Sequence, residues 1–463
     1  MPRPLPLLLL GSALVSACAT GPAYEPPQAG ALAVPALYAG QSEAQSPARL
    51  QDWWKQFGDA RLDSLIDRGL AGNLDLAIAR ARLVQARESL VQSRGGRLPT
   101  VSGSGQASQG LDTSGGGQSA FSLGIDASWE ADLFGGKARA VEASRAEAQA
   151  AAYDLAAVRV SLVSDIATYY VQARLAQQRL ALARQNLGFA DENLQIARWR
   201  NQAGLVTSID VEQARSARAQ IAVTLPTLEQ TYGQAVFRLG VLTSQAPAAL
   251  ADELAETAPP PAPPGGIAAG FPADTLRQRP DVRSAERSLA AATARIGVAQ
   301  AQLYPALRIG GTIGTSSISL GGLVDLVTGN LFAALSHTIF DGGQARSQVR
   351  SQRAAAEAAF AQYKQTVLGA LEDVEKALLA VRTAEQRRSG YDEALEAARN
   401  QAILARSSYR AGLSDFQTLL EAERSLISAS DGQLVSKGDQ TLAVIQLYRA
   451  LGGGWDPANP AQD

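Results

Sequence analysis

The chain is short of the residues that usually carry chemistry. It has one cysteine, Cys18, so no disulfide can close within it, and one methionine, Met1, so a thioether relay for soft metals is missing. Its one histidine, His337, falls in a predicted strand, where a structural role outweighs a catalytic one. No metal-ligand cluster, phosphate-binding loop or Ser/His/Asp grouping stands out, which points away from an enzyme and from a bound cofactor. A formal net charge of −2 leaves no basic field for nucleic acid. Hydrophobic content of 46% is that of a globular chain and excludes a polytopic helical membrane protein.

The amino terminus reads as an address. Arg3 precedes an apolar run, Leu5–Val15, too short for a bilayer, which takes about 20 residues. Residues 1–17 are therefore expected to be a signal peptide. Val15-Ser16-Ala17-Cys18 resembles a bacterial lipobox, which would make Cys18 the lipidated (palmitoylated) first residue of the mature chain. Ala19 stands where an Asp would imply retention at the inner membrane, so delivery to the outer membrane is expected. Residues 18–50, rich in Ala, Pro and Gly, read as an extended arm.

What the chain does have is long helices. Lys137–Ala203 contains no proline and one internal glycine, Gly188. Ile166, Tyr169, Ala173, Ala176, Leu180, Ala183, Leu187, Ala190, Leu194 and Ala197 follow at alternating spacings of three and four. Arg174, Gln177, Arg184, Asp191 and Gln195 lie between them and read as solvated exterior. The pattern predicts a helix over 137–203 with a narrow seam for another helix. At about 1.5 Å per residue it spans on the order of 100 Å. Before it, Asp63–Gln92 reads as one helix, and Ala120–Glu130 alternates strictly, with Phe121, Leu123, Ile125, Ala127 and Trp129 on one face. Thr100–Gln109 is its weaker partner, within a strand pair at 98–131. After Gly204 a returning helix begins, and Pro226 is expected to kink or break it.

The same order of parts then repeats. Leu98-Pro99 matches Tyr304-Pro305, Gly135-Gly136-Lys137-Ala138-Arg139 matches Gly342-Gly343-Gln344-Ala345-Arg346, and Ala203-Gly204-Leu205 matches Ala411-Gly412-Leu413. Glu212–Ser216 matches Glu421–Ser425, and the offset grows by one residue at each step, which marks an internal duplication. The expected division is a first repeat at 51–245, a Pro-rich linker at 246–272, a second repeat at 273–455 and a tail at 456–463. The second repeat carries a strand pair at 306–341 and a long helix at 344–411. Two halves supply four strands, whereas closed membrane barrels start at about eight. An open edge in lipid leaves unpaired backbone groups costing several kcal/mol each, so strands that cross a membrane here need several chains per barrel.

With these parts in place the sequence resembles the outer membrane factors of the TolC-like superfamily, in the lipoprotein branch that serves resistance-nodulation-division efflux pumps. The resemblance rests on the lipobox with Gly21-Pro22 and Tyr24; Trp53-Trp54, Phe57-Gly58-Asp59 and Leu62; and Arg279-Pro280-Asp281-Val282-Arg283 with Ala285-Glu286. Ile296–Ala299 before Tyr304-Pro305, Ile339–Gly343 and Leu447–Trp455 complete it. Thr338 departs from the pattern, standing where similar proteins commonly have a proline. The resemblance implies a mainly α chain with a membrane β-barrel: a homotrimer forming a twelve-stranded barrel in the outer membrane above an α-helical periplasmic tunnel. It further implies an exit duct for drugs or other small molecules, opened by a periplasmic adaptor (membrane fusion) protein and fed by an inner-membrane resistance-nodulation-division transporter.

The resemblance also assigns the gate. The reversals at Gly204, Leu205, Val206 and at Gly412, Leu413, Ser414 should be the periplasmic tips that meet the adaptor. Glu421 corresponds to an acid that narrows the pore, Thr418 to a position that can also be acidic, and Asp210 to a residue that latches neighbouring helices. Arg424, three residues beyond Glu421, could instead pair with it on one helix face. An exit duct for heavy-metal efflux or type I protein secretion is the alternative within the fold. A coiled-coil spacer would explain the rods but neither the amphipathic strands nor the glycine reversals.

Overall fold

The structure is a computed structural model that describes residues 20–39, 50–110, 118–265 and 272–457. Cys18 and the signal segment lie outside the described residues, as do most of the Gly/Ser turn (111–117) and residues 458–463.

Two helices, α1 (Ala60–Gly72) and α2 (Leu74–Gly95), stand where the apolar spacing predicts one. Asn73 divides them. Its Oδ1 accepts from the backbone N–H groups of Asp75 and Leu76, and its Nδ2 donates to the Leu242 carbonyl. A buried amide used this way starts a new helix and ends the old one.

The four strands form one antiparallel sheet in the order β1 (Thr100–Gln109), β2 (Ser119–Ala131), β3 (Ala306–Ser317), β4 (Val327–Ser336). The halves of the duplication are joined directly, β2 against β3, with Ile125 opposite Ile313 and Trp129 opposite Ile309. Register sorts the side chains by face. Val101, Ile125, Ile313 and Leu331 share one, whereas Ser102, Asp126, Thr312 and Asn330 align across all four strands on the other. β1 and β4 are the edges. His337 stands just past β4, exposed, and not inside a strand. The chain there is already heading into a helix cap, because Asp341 accepts from the N–H groups of Gly343 and Ala345.

The long helices are α3 (Gly136–Gln202) and α7 (Gln344–Arg410); α4 (Ser208–Leu242) and α8 (Phe416–Ala450) return from them. Between α4 and β3 lie α5 (Pro272–Gln278) and α6 (Pro280–Ala301). Asp132 starts α3 by accepting from the N–H groups of Lys137 and Ala138. Of the kink or break expected at Pro226, the break does not occur, and α4 runs through the proline. It is exposed, so water can reach the carbonyl that proline leaves without a donor.

Along α3 the seam positions are buried, Tyr169 and Leu187 only half so. Arg174 and Gln177, which read as exterior, are 4% and 6% exposed. Arg174 Nη1 donates to the Glu256 carbonyl at 2.7 Å and Gln177 Nε2 to the Leu254 carbonyl at 2.6 Å. They seat the stretch after α4, which reads as a linker but buries Leu250 and Leu254. Bonds from Arg68, reinforced by Arg61, fix Glu253 beside them and hold its carboxyl below the usual range. Beneath Arg174, burial pushes the Tyr170 phenol up to about 12 while its hydroxyl donates to Asp59 Oδ2. The backbone carbonyls of an irregular segment need donors, and two polar side chains on a helix supply them.

The start of the described chain is likewise held in place. Thr20 donates from its N–H and its hydroxyl to the Phe134 carbonyl, and Arg139 donates to the carbonyls of Thr20 and Gly21.

Two compact units result. One gathers Met1–Leu32, Ala81–Tyr153 and Val282–Thr366 and holds the sheet. The other gathers Ala33–Arg80, Asp154–Asp281 and Val367–Asp463 and holds both helix reversals. Each unit draws on both halves of the chain, so the duplication is one of elements, not of separate bodies.

Candidate functional site: the helix reversals

Both reversals are built alike. Gly204 and Gly412 each take φ +71°, a left-handed conformation that a side chain would strain. The next N–H groups, of Leu205 and Leu413, reach back to the carbonyls of Arg200 and Ser408 at 2.8 Å and close the ends of α3 and α7. The turn leaves Leu205 73% and Leu413 82% exposed. Val206 is half-buried, its carbonyl accepting from Asn201 Nδ2. Ser414 is half-buried with its Oγ unpartnered.

The returning helices are capped by mirrored pairs. At α4, Asp210 Oδ2 accepts from the N–H and the hydroxyl of Thr207, both at 2.8 Å. At α8 the acid comes first: Asp415 Oδ1 accepts from the Thr418 hydroxyl at 2.6 Å and the Thr418 N–H at 2.8 Å. Those bonds, the hydroxyl's foremost, hold the Asp415 carboxyl below the usual range. Asp210 and Thr418 are thus engaged within their own turns.

Glu421 and Arg424, three residues apart and both exposed on α8, do not pair with each other. Glu421 turns back one turn and accepts from Gln417 Nε2 at 3.0 Å. Close to the reversal, α8 engages other helices through the Glu423 carboxylate. It accepts from Asn193 Nδ2 on α3 and from Arg406 Nε on α7 at 3.1 Å, and is only 13% exposed. Two further ties join α3 to α8: Arg179 with Asp431 through two bonds of 2.7 and 2.9 Å, and Asp165 with Arg449 at 3.1 Å. Asp165, Arg179 and Asn193 are evenly spaced, two heptads apart along α3. Sequence reading missed Asp415 and Glu423. The Asp-x-x-Thr pattern, the reverse of Thr207-x-x-Asp210, was the available signal for the first. The second had none, because its partners sit on other helices.

Behind the turns lies an apolar plug. Leu194 and Ala197 of α3, Ala214 of α4, Ala405 and Tyr409 of α7, and Phe416, Leu419, Leu420 and Ala422 of α8 form one buried cluster. The Arg200 guanidinium lies 4.3 Å from the centre of the Tyr409 ring. The site is four helix ends bound by caps and ties, with exposed apolar tips that offer a contact surface. Among the described residues no helix is long and apolar enough to cross a membrane.

Comparison with known proteins gives a consistent result. A model of the outer membrane efflux protein family matches residues 65–244 and 271–453. Nodulation protein T of Rhizobium leguminosarum bv. trifolii is 32% identical over 97% of this chain and 97% of its own length. The pyoverdine export outer membrane protein OpmQ of Pseudomonas aeruginosa is 32% identical over 97% of this chain and 96% of its own. Among solved structures, the outer-membrane channel OprN is similar with a TM-score of 0.86 and 34% identity, covering 95% of this chain and 100% of that one.

Proposed function

Given that the chain belongs to the outer membrane efflux protein family, we propose that it is one of three identical subunits of the outer-membrane exit duct of a tripartite efflux pump. The observation that carries this is the sheet. Four antiparallel strands expose an apolar face and leave β1 and β4 unpaired at its edges. In lipid those edges must be closed, and pairing β4 of one copy with β1 of the next closes them without any further strand. The polar face then lines a water-filled lumen.

On this reading the duct conducts drugs or other small molecules passively and does no chemistry. Glu421 from the three copies narrows the periplasmic mouth, with Asp210, Thr418 and Arg424 around it. Gly204, Leu205, Val206, Gly412, Leu413 and Ser414 form the surface that meets a periplasmic adaptor, which in turn meets an inner-membrane resistance-nodulation-division transporter. Cys18 carries the lipid that tethers the arm to the outer membrane. The names of the relatives support a shared duct with cargo chosen elsewhere, one being named for pyoverdine export and another for nodulation. The test is direct. Purified protein should run as a heat-resistant trimer and conduct ions in planar bilayers; a monomer that forms no pores overturns the proposal.

A further inference from the structure

A cleft of about 750 Å³ opens along α3, α4, α7 and α8 between two of the interhelical ties, Arg179–Asp431 and Asn193–Glu423. That volume is within the range of small-molecule sites, about 300–1,000 Å³. Its walls are apolar where helices flank it, with Phe189, Ile221, Val223 and Ile427 among the lining side chains. Its charges are unevenly spent. Both lining acids are engaged, Asp431 by Arg179 and Glu423 by Arg406 and Asn193. Arg399 and Arg424 also line it, exposed, and neither has a hydrogen-bond or acidic partner among the described residues. The cleft therefore pairs an apolar wall with two uncommitted guanidiniums and no free carboxylate.

We infer that this cleft binds organic anions with an aryl body, the rings against Phe189 and Ile221 and the anionic group between Arg399 and Arg424. A guanidinium offers a planar fork of donors that suits a carboxylate or sulfonate, and two of them within one groove set the sign of the ligand. An amine of the same shape would meet two unpaired guanidiniums of like charge and carboxylates already paired to Arg179, Arg406 and Asn193. The inference goes beyond the duct reading, because binding can be measured without any pore current.

The experiment is a calorimetric titration of the purified protein, held in phosphatidylcholine nanodiscs, with 2-naphthalenesulfonate. The expected result is saturable binding at one site per chain that weakens as salt rises, since exposed charges are screened. The double variant Arg399→Gln/Arg424→Gln should weaken it about tenfold or more. Thr224→Trp, an exposed change that fills the groove from α4, should abolish it by bulk alone. Naphthylmethylammonium should bind about tenfold more weakly than the sulfonate. No saturable binding overturns the inference, as does binding that neither variant alters, or equal binding of the two probes. The heat-resistance of each variant's oligomer, run alongside, shows that it is folded.

Discussion

At the scale of single residues, the structure turns on side chains whose surroundings the chain order conceals. Arg174 has the look of a solvated exterior residue, yet it is buried and supplies a donor to the Glu256 carbonyl. Replacing it with Met keeps most of the volume and leaves that carbonyl unmatched. Arg174→Met should cost about 2–3 kcal/mol, read as a lower dissociation temperature of the oligomer. Asp415 makes a prediction in pH. Its folded carboxyl lies below the ordinary value, so the stability it lends is complete above about pH 4 and is lost as pH falls through the folded value. Amide exchange over residues 415–420 should therefore accelerate on acidification beyond what exchange chemistry alone gives. Asp415→Asn keeps a good cap without the titration, and its exchange should lack that acid dependence. Glu421→Ala should raise single-pore conductance in planar bilayers, and unchanged conductance would remove Glu421 from the constriction.

At the scale of elements, the helix reversals are the sharpest features. Open space surrounds both Gly204 and Gly412, so a methyl group there meets no neighbour and the penalty is backbone strain alone. Gly204→Ala should cost about 1–2 kcal/mol, and Gly204→Asn less, seen in thermal dissociation of the oligomer. Much of this level was legible in advance. Strict alternation marked β2 and apolar periodicity marked α3, because both signals are local and repeat many times, and the internal duplication carried the second long helix to α7. The division at Asn73 was hidden because the deciding bond runs to the Leu242 carbonyl, far along the chain. At Pro226 the local effect is real, but exposure to water offsets the lost hydrogen bond and no break results. The meeting of β2 with β3 pairs residues from the two halves of the chain, and no periodicity within either half encodes it. At the helix reversals, the glycines could be read from motifs, whereas the Glu423 ties could not.

At the scale of the whole molecule, the two faces of the sheet give the most discriminating prediction. Leu123 and Ser122 are neighbours in β2 and project to opposite sides. An arginine on a lipid-facing side costs about 2–4 kcal/mol at mid-membrane, and one lining water costs little. Leu123→Arg should therefore depress insertion into the outer membrane and the yield of heat-resistant trimer, while Ser122→Arg leaves both near normal. Equal effects would mean that neither face meets lipid. A last consequence follows from the placing of the three ties between α3 and α8. Asp165, Arg179 and Asn193 stand 14 residues apart along α3, whereas their partners Arg449, Asp431 and Glu423 stand 18 and 8 apart along α8. At about 1.5 Å per residue the ties cover about 42 Å of one helix and about 39 Å of the other, most of the length of α8. The two helices are therefore laced along their shared length, and lifting α8 away from α3 as a rigid rod breaks all three ties together.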